Sequence, residues 1–300
     1  MPASSTRLLP TLARWLRRAA LPVVAAATLA ACGGGDRVEP FKPSRIFIFG
    51  DEYSAIDTAT GVKYSVNVPN SSGSGAPYYC AQNALWVQYL VNEHYRKELD
   101  ACPIGLASAP NAFLQAQPDW TTDDVISAIN ATSFASGDLV VVLVGVNDIT
   151  GSALNDAQLE AKAQELGRRV RALADSGIHV LLVNVPKIEE SPDFSGYGSR
   201  RALYNNGLRS LNGLGSNVDG RRVAFLQSDA LITDLKNSSY NMGELCPSNT
   251  DSTPGACDSN AISGISSTSS YVWSWGAWLS PNTHSLLGSR AVNQVNNNWE

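Results

Sequence analysis

The stretch Arg45-Ile46-Phe47-Ile48-Phe49-Gly50-Asp51-Glu52-Tyr53-Ser54 decides the fold. Its first half is an apolar, aromatic-rich run of strand length, and Gly50-Asp51 punctuates its end. A strand closed by a glycine turn sets the next side chains at the carboxyl edge of a sheet. In open α/β sheets that edge is where ligands and chemistry sit. Outward from this stretch, Asp138 to Val144 is a continuous apolar run suited to a central parallel strand buried on both faces. Asp156 to Asp175 reads as a long amphipathic helix that stops at Ser176-Gly177. His179 to Val185 follows as a buried strand, so His179 is a strand-start residue rather than a ligand. Tyr204 to Leu214 predicts another helix and Val223 to Leu226 another strand. This alternation implies an α/β domain, a parallel sheet with helices on both faces.

The remaining segments are read in the same way. Val62 to Tyr79 is a long polar loop, and Ala84 to Arg96 a packed helix in which His94 is a surface or satisfied residue. Asp123-Asp124 opens a short helix through Ile129, where acids favour the first turn. Asp234 to Ser270, rich in Ser, Asn and Gly with two Cys, is expected to be a stapled insertion loop. Ser280-Pro281 starts a terminal helix, with Ser as N-cap and Pro at the first position.

With 300 residues, 44% hydrophobic and 16% charged, the chain has ample core for one domain. Its first residues stand apart. Arg7, Arg14, Arg17 and Arg18 form a basic region without an acid, and Ala19 to Ala31 is a short apolar run. That run closes on Leu29-Ala30-Ala31-Cys32, which resembles a bacterial lipobox in which Cys32 is acylated. The organisation expected is a signal peptide over 1–31, a tether over 32–43 and one domain over 44–300. Resemblance to lipoproteins further implies an exported, lipid-anchored protein at the outer membrane, because Gly33 follows the Cys. Loss of four arginines takes the formal charge from −5 to −9, which argues against nucleic acid as a partner. Lipidation of Cys32 leaves four of the five Cys, an even number that in an exported chain reads as two disulfides. Of the three possible pairings, the pairs nearest in sequence, Cys80–Cys102 and Cys246–Cys257, are favoured. No Cys pair has metal-ligand spacing with a nearby His, and no metal or other cofactor is expected.

Two blocks carry a family resemblance. Gly50-Asp51 followed by position 52 resembles the first signature of the SGNH/GDSL hydrolases, where a strand ends in Gly-Asp-Ser and the Ser is the nucleophile. Gly145-Val146-Asn147-Asp148, after the central strand, resembles their Gly-x-Asn-Asp block, whose Asn implies an oxyanion donor at Asn147. More loosely, Pro110 to Ala116 matches the block that gives a backbone oxyanion donor, with Gln115 in that position. Leu279-Ser280-Pro281-Asn282-Thr283-His284 matches the last block, in which the catalytic Asp and His fall at Trp275 and Trp278. The resemblance implies a three-layer sandwich with a flavodoxin-like parallel sheet of SGNH type, and descent from carboxylic-ester hydrolases.

The nucleophile, acid and base positions therefore read Glu52, Trp275 and Trp278. A Trp indole only donates, so it neither takes a proton nor orients a base. A re-sited triad through Ser54 and His284 is the alternative, and would make the chain an active ester hydrolase. His284, however, lies more than a helical turn past the usual position at ~1.5 Å per residue, well beyond the ~0.5 Å tolerance of a catalytic constellation. A metal cluster of Asp51, Glu52 and Asp148 ranks lower still. Tyr271 to Trp278 concentrates aromatics that fill the core in the plain reading, and line a binding surface in the sharper one. The expectation is a binding or structural envelope protein, or a weak esterase, with a small ester, lipid or glycan as ligand.

Overall fold

A computed structural model describes residues 40–71, 77–216, 222–247 and 254–299. The expected signal peptide, Cys32 and the tether up to residue 39 lie outside the described residues. The end of the tether belongs to the body, which begins at Pro40. Phe41 N–H donates to the Trp299 carbonyl at 2.9 Å, and the Phe41 ring stacks on His179 at 3.7 Å. His179 is thus a packing residue, and its burial, with the Arg222 charge, lowers its pKa to about 4.

Five parallel strands, β1 (Ile46–Gly50), β2 (Ala112–Leu114), β3 (Leu139–Leu143), β4 (His179–Val183) and β5 (Val223–Leu226), lie in the order β2-β1-β3-β4-β5. Ile46 pairs with Leu139 and Leu139 with His179, so the strands end along a common edge. β1 and β3 are buried throughout, as their unbroken apolar runs require. One helical layer packs α2 (Thr122–Ala131), α4 (Asp156–Asp175) and α5 (Gly198–Arg209) together. The other joins α1 (Trp86–Gln88, continued by a π-helical segment Tyr89–His94) to α7 (Pro281–Trp299). This is the three-layer, flavodoxin-like α/β architecture expected from the sequence. The strand order reverses between β1 and β3, so the crevice beyond Gly50 and Leu143 is the place for a ligand.

Local chemistry explains the helix limits. Asn155 Oδ1 accepts from Gln158 N–H and Gln158 Oε1 from Asn155 N–H, each at 3.0 Å, a reciprocal cap that starts α4. Asp124 plays the same part for α2, accepting from Thr121 N–H at 2.8 Å. Ser280 Oγ accepts from Thr283 N–H at 3.2 Å ahead of Pro281. The helix expected from Tyr204 begins earlier, at Gly198, and ends earlier, at Arg209.

Asp234 to Ser270 departs from the expected insertion loop. Its first residues close a helix, α6 (Ser228–Asn237). Beyond it, β6 (Asn241–Glu244) pairs in parallel with β7 (Tyr271–Trp275), which pairs antiparallel with β8 (Trp278–Leu279). The aromatic run is therefore a small sheet, with its own satellite cluster of Val66, Leu245, Trp275 and the Cys246–Cys257 disulfide. The other bridge joins Cys80 to Cys102. Both are the pairings read from sequence.

Candidate functional site

The site is built where β1 and β3 end. A Cβ on Gly50 would lie 2.3 Å from the Leu143 carbonyl oxygen, so only glycine lets the two strand ends meet. Asp51 then ties them. Its carboxyl accepts from Tyr53 N–H at 3.3 Å, Gly145 N–H at 3.1 Å and Val146 N–H at 3.3 Å. Gly145 has φ +130°, and a Cβ there would fall 2.5 Å from the Tyr204 ring. It turns the chain into α3 (Val146–Thr150), whose second residue is Asn147. Asp148 faces away from this turn and accepts from the Thr122 N–H and Oγ1, each at 2.8 Å. It anchors α2 rather than lining the site.

Glu52 projects into the position where the resemblance places a nucleophile. It is nearly fully buried, and its oxygens accept hydrogen bonds from one backbone and one side-chain donor. Asp119 N–H reaches Oε1 at 2.8 Å, and Asn147 Nδ2 reaches Oε2 at 3.0 Å and Oε1 at 3.3 Å. Asp119 presents that N–H from a left-handed backbone, φ +62°, a conformation that Asp tolerates better than most residues. The backbone donor expected at Gln115 is instead spent in the sheet, where Gln115 N–H bonds the Ile48 carbonyl at 2.8 Å. Burial raises the Glu52 pKa, and the bonds from Asp119 N–H and Asn147 oppose it. Burial and the Glu52 charge push Asp51 well above the ordinary carboxylate range.

Trp275 and Trp278 do stand beside Glu52, on β7 and β8. Tyr53 Oη donates to the Ala277 carbonyl at 2.8 Å, fastening the turn between them to the turn after β1. Both indoles line a cavity of about 440 Å³ together with Glu52, Asn147, Tyr64, Phe194, Asp119, Asp193 and Glu244. Tyr64, Phe194, Asp193 and Glu244 carried no signal in the sequence, because tertiary contacts bring their segments together. A larger cavity of about 710 Å³, lined by Ile56, Val62, Leu114 and Ala116, shares the Tyr64 ring.

No hydrogen bond joins Ser54 to His284. Ser54 is buried and its Oγ has no hydrogen-bond partner. His284 Nδ1 accepts from Trp86 N–H at 3.4 Å. Burial, reinforced by the Lys63 charge, lowers its pKa to about 3. Neither lines the 440 Å³ cavity. Asp51, Glu52 and Asp148 do not form a metal cluster: each is occupied by its own donors. Among the described residues no group of three or more His, Cys, Asp or Glu is arranged to hold a metal ion.

No protein-family model and no curated protein matches the chain. Several solved structures do. A member of the lipolytic protein G-D-S-L family from Veillonella parvula is 11% identical, with 83% of this chain and 96% of that one covered and a TM-score of 0.45. An acetylxylan esterase from Geobacillus stearothermophilus is 12% identical over 86% of this chain and 98% of that one, TM-score 0.43. An α/β hydrolase enzyme from the metagenome of Lake Arreo, Spain, is 16% identical over 63% and 81%, TM-score 0.37.

Proposed function

We propose that this chain is a ligand-binding protein of the bacterial envelope, lipid-anchored through Cys32, that uses an ester-hydrolase type of scaffold without hydrolysing esters. The observation that carries the reading is Glu52 bonded to Asp119 N–H and Asn147 Nδ2. Acyl transfer needs such donors free to meet the negative charge that develops on the carbonyl oxygen. Here a carboxylate of the protein already holds them. Acyl transfer also needs a base within reach of a nucleophile, and no histidine lines the cavity. The Leu29-Ala30-Ala31-Cys32 box and two disulfides, which belong to oxidising compartments, support the envelope assignment.

Turnover of p-nitrophenyl acetate and butyrate by the wild type, Ser54→Ala and His284→Ala tests it. The expected wild-type rate is at most the ~10³–10⁴-fold acceleration over water that survives removal of a triad, and neither substitution lowers it by as much as about ten-fold. Robust turnover that collapses in both variants would overturn the reading and establish a triad through Ser54 and His284.

A further inference from the structure

The cavity beside Glu52 combines two features that are costly apart and complementary together. Its acidic members are Glu52, Asp119, Asp193 and Glu244, and among the described residues no lysine, arginine or histidine lines it. Its rings are set at a corner. Trp278 meets Tyr64 edge-on at 5.2 Å and 74° and Trp275 at 5.9 Å and 70°, while Tyr64 and Trp275 lie stacked at 6.0 Å and 30°. Phe194 closes the turn side: a Cβ on Gly276 would lie 3.3 Å from its ring. Ring faces carry negative charge density, and a cation held against several of them is stabilised most when water is excluded.

The carboxylate field reaches the rings. Burial and then the charges of Glu52 and Asp119 push the Tyr64 phenol up to about 12. Burial and the neighbouring Asp193 raise the Glu244 carboxyl. An anionic ligand would meet repulsion from every acid, and a neutral sugar, while donating hydrogen bonds to the acids, would leave their charge unbalanced. Both Glu52 oxygens already accept hydrogen bonds. A quaternary ammonium makes no demand on the remaining lone pairs, because it needs only charge and apolar contact.

On the reading that this cavity binds rather than hydrolyses, we propose that its ligand is an organic cation carrying a quaternary ammonium group, seated against Tyr64, Trp275 and Trp278 with Glu52 as counter-ion. Choline is the probe. Its control is dimethylbutanol, the neutral isostere in which a tert-butyl group replaces trimethylammonium, and xylose represents a sugar. Calorimetric titration of the full chain in a non-ionic detergent, followed in parallel by Trp fluorescence, reads binding.

The charge should make choline bind at least ~10-fold more tightly than its isostere, and Glu52→Gln should close most of that gap. Wild-type pH dependence is a second readout that requires no variant. Glu52 is faced by Asp51, Tyr53, Tyr64 and Asp119, and it takes up a proton on acidification. Asp193 and Glu244 face the same cavity, and the Glu244 carboxyl is raised as well. Choline affinity should therefore fall as pH drops through the raised range of Glu52 and Glu244, while that of the isostere stays level. Equal affinity for the two probes, a preference for xylose, or no choline binding would each overturn the inference. None of these would produce ester turnover, the outcome that overturns the proposed function itself.

Discussion

Glu52 and Gly145 show how single residues settle what the crevice can do. A serine at position 52 would end in one short hydroxyl; the glutamate is long enough to reach Asp119 N–H and Asn147 Nδ2 and fill the space between them. Glu52 and Asn147 were each legible in the sequence, but the hydrogen bonds between them were not. Nor was the Asp119 N–H, because a backbone donor has no residue type and this one is aimed by φ +62° in a loop. Gly145 is the residue that lets Asn147 arrive. Any side chain there meets the Tyr204 ring, with its Cβ 2.5 Å from Tyr204 Cε1, and must also adopt φ +130°. Backbone strain of about 1–3 kcal/mol and overpacking of similar size should together make Gly145→Ala about 2–4 kcal/mol less stable. Urea denaturation followed by Trp fluorescence measures this, and an unchanged midpoint would show that Tyr204 can move aside.

Elements whose signals are local were read closely. β1, β3, β4 and β5 are apolar runs of strand length, and α4 carries its own cap and stop within Asn155 to Gly177. α6 was missed because its N-terminus is capped from afar. Asn184 Oδ1 accepts from Ser228 N–H at 2.7 Å and from Asp229 N–H at 3.3 Å, while its Nδ2 donates to Asp229 Oδ1 at 2.8 Å. Gln227, the residue before the helix, contributes no side-chain bond. The small sheet was missed for a related reason. Its strands β6 and β7 are far apart in sequence, and β6 reads Asn-Met-Gly-Glu, without apolar alternation. Removing the remote cap tests the account: Asn184→Ala strips a buried side chain from two helix N–H groups and should cost about 1–3 kcal/mol. The loss should appear as a lower thermal midpoint with faster amide exchange at Ser228 and Asp229. Unaltered exchange there would mean that the helix start is held by packing alone.

Across the whole molecule, covalent constraints frame the site. The Cys80–Cys102 and Cys246–Cys257 bridges close sequence separations of 22 and 11 residues, each expected to stabilise by about 3 kcal/mol through the unfolded chain. The second borders the cluster containing Trp275, so it also braces the aromatic wall. A protein braced in this way suits an oxidising compartment, and no described helix is long and apolar enough to cross a membrane. The proposed retention at a bilayer rests on the Leu29-Ala30-Ala31-Cys32 box. Buried acyl chains contribute ~0.8 kcal/mol per CH₂, and a single chain gives only reversible binding. An acylated Cys32 carrying several chains would hold the body at the surface, with the stretch from Gly33 as spacer. Cys32→Ser removes the thiol to which the lipid attaches and leaves the disulfide cysteines untouched. The variant should lose metabolic labelling with radioactive palmitate and move from the membrane fraction to the soluble one, or persist as an uncleaved precursor. Full labelling and unchanged membrane partitioning in Cys32→Ser would rule out the anchor and leave the cavity beside Glu52 without a fixed membrane address.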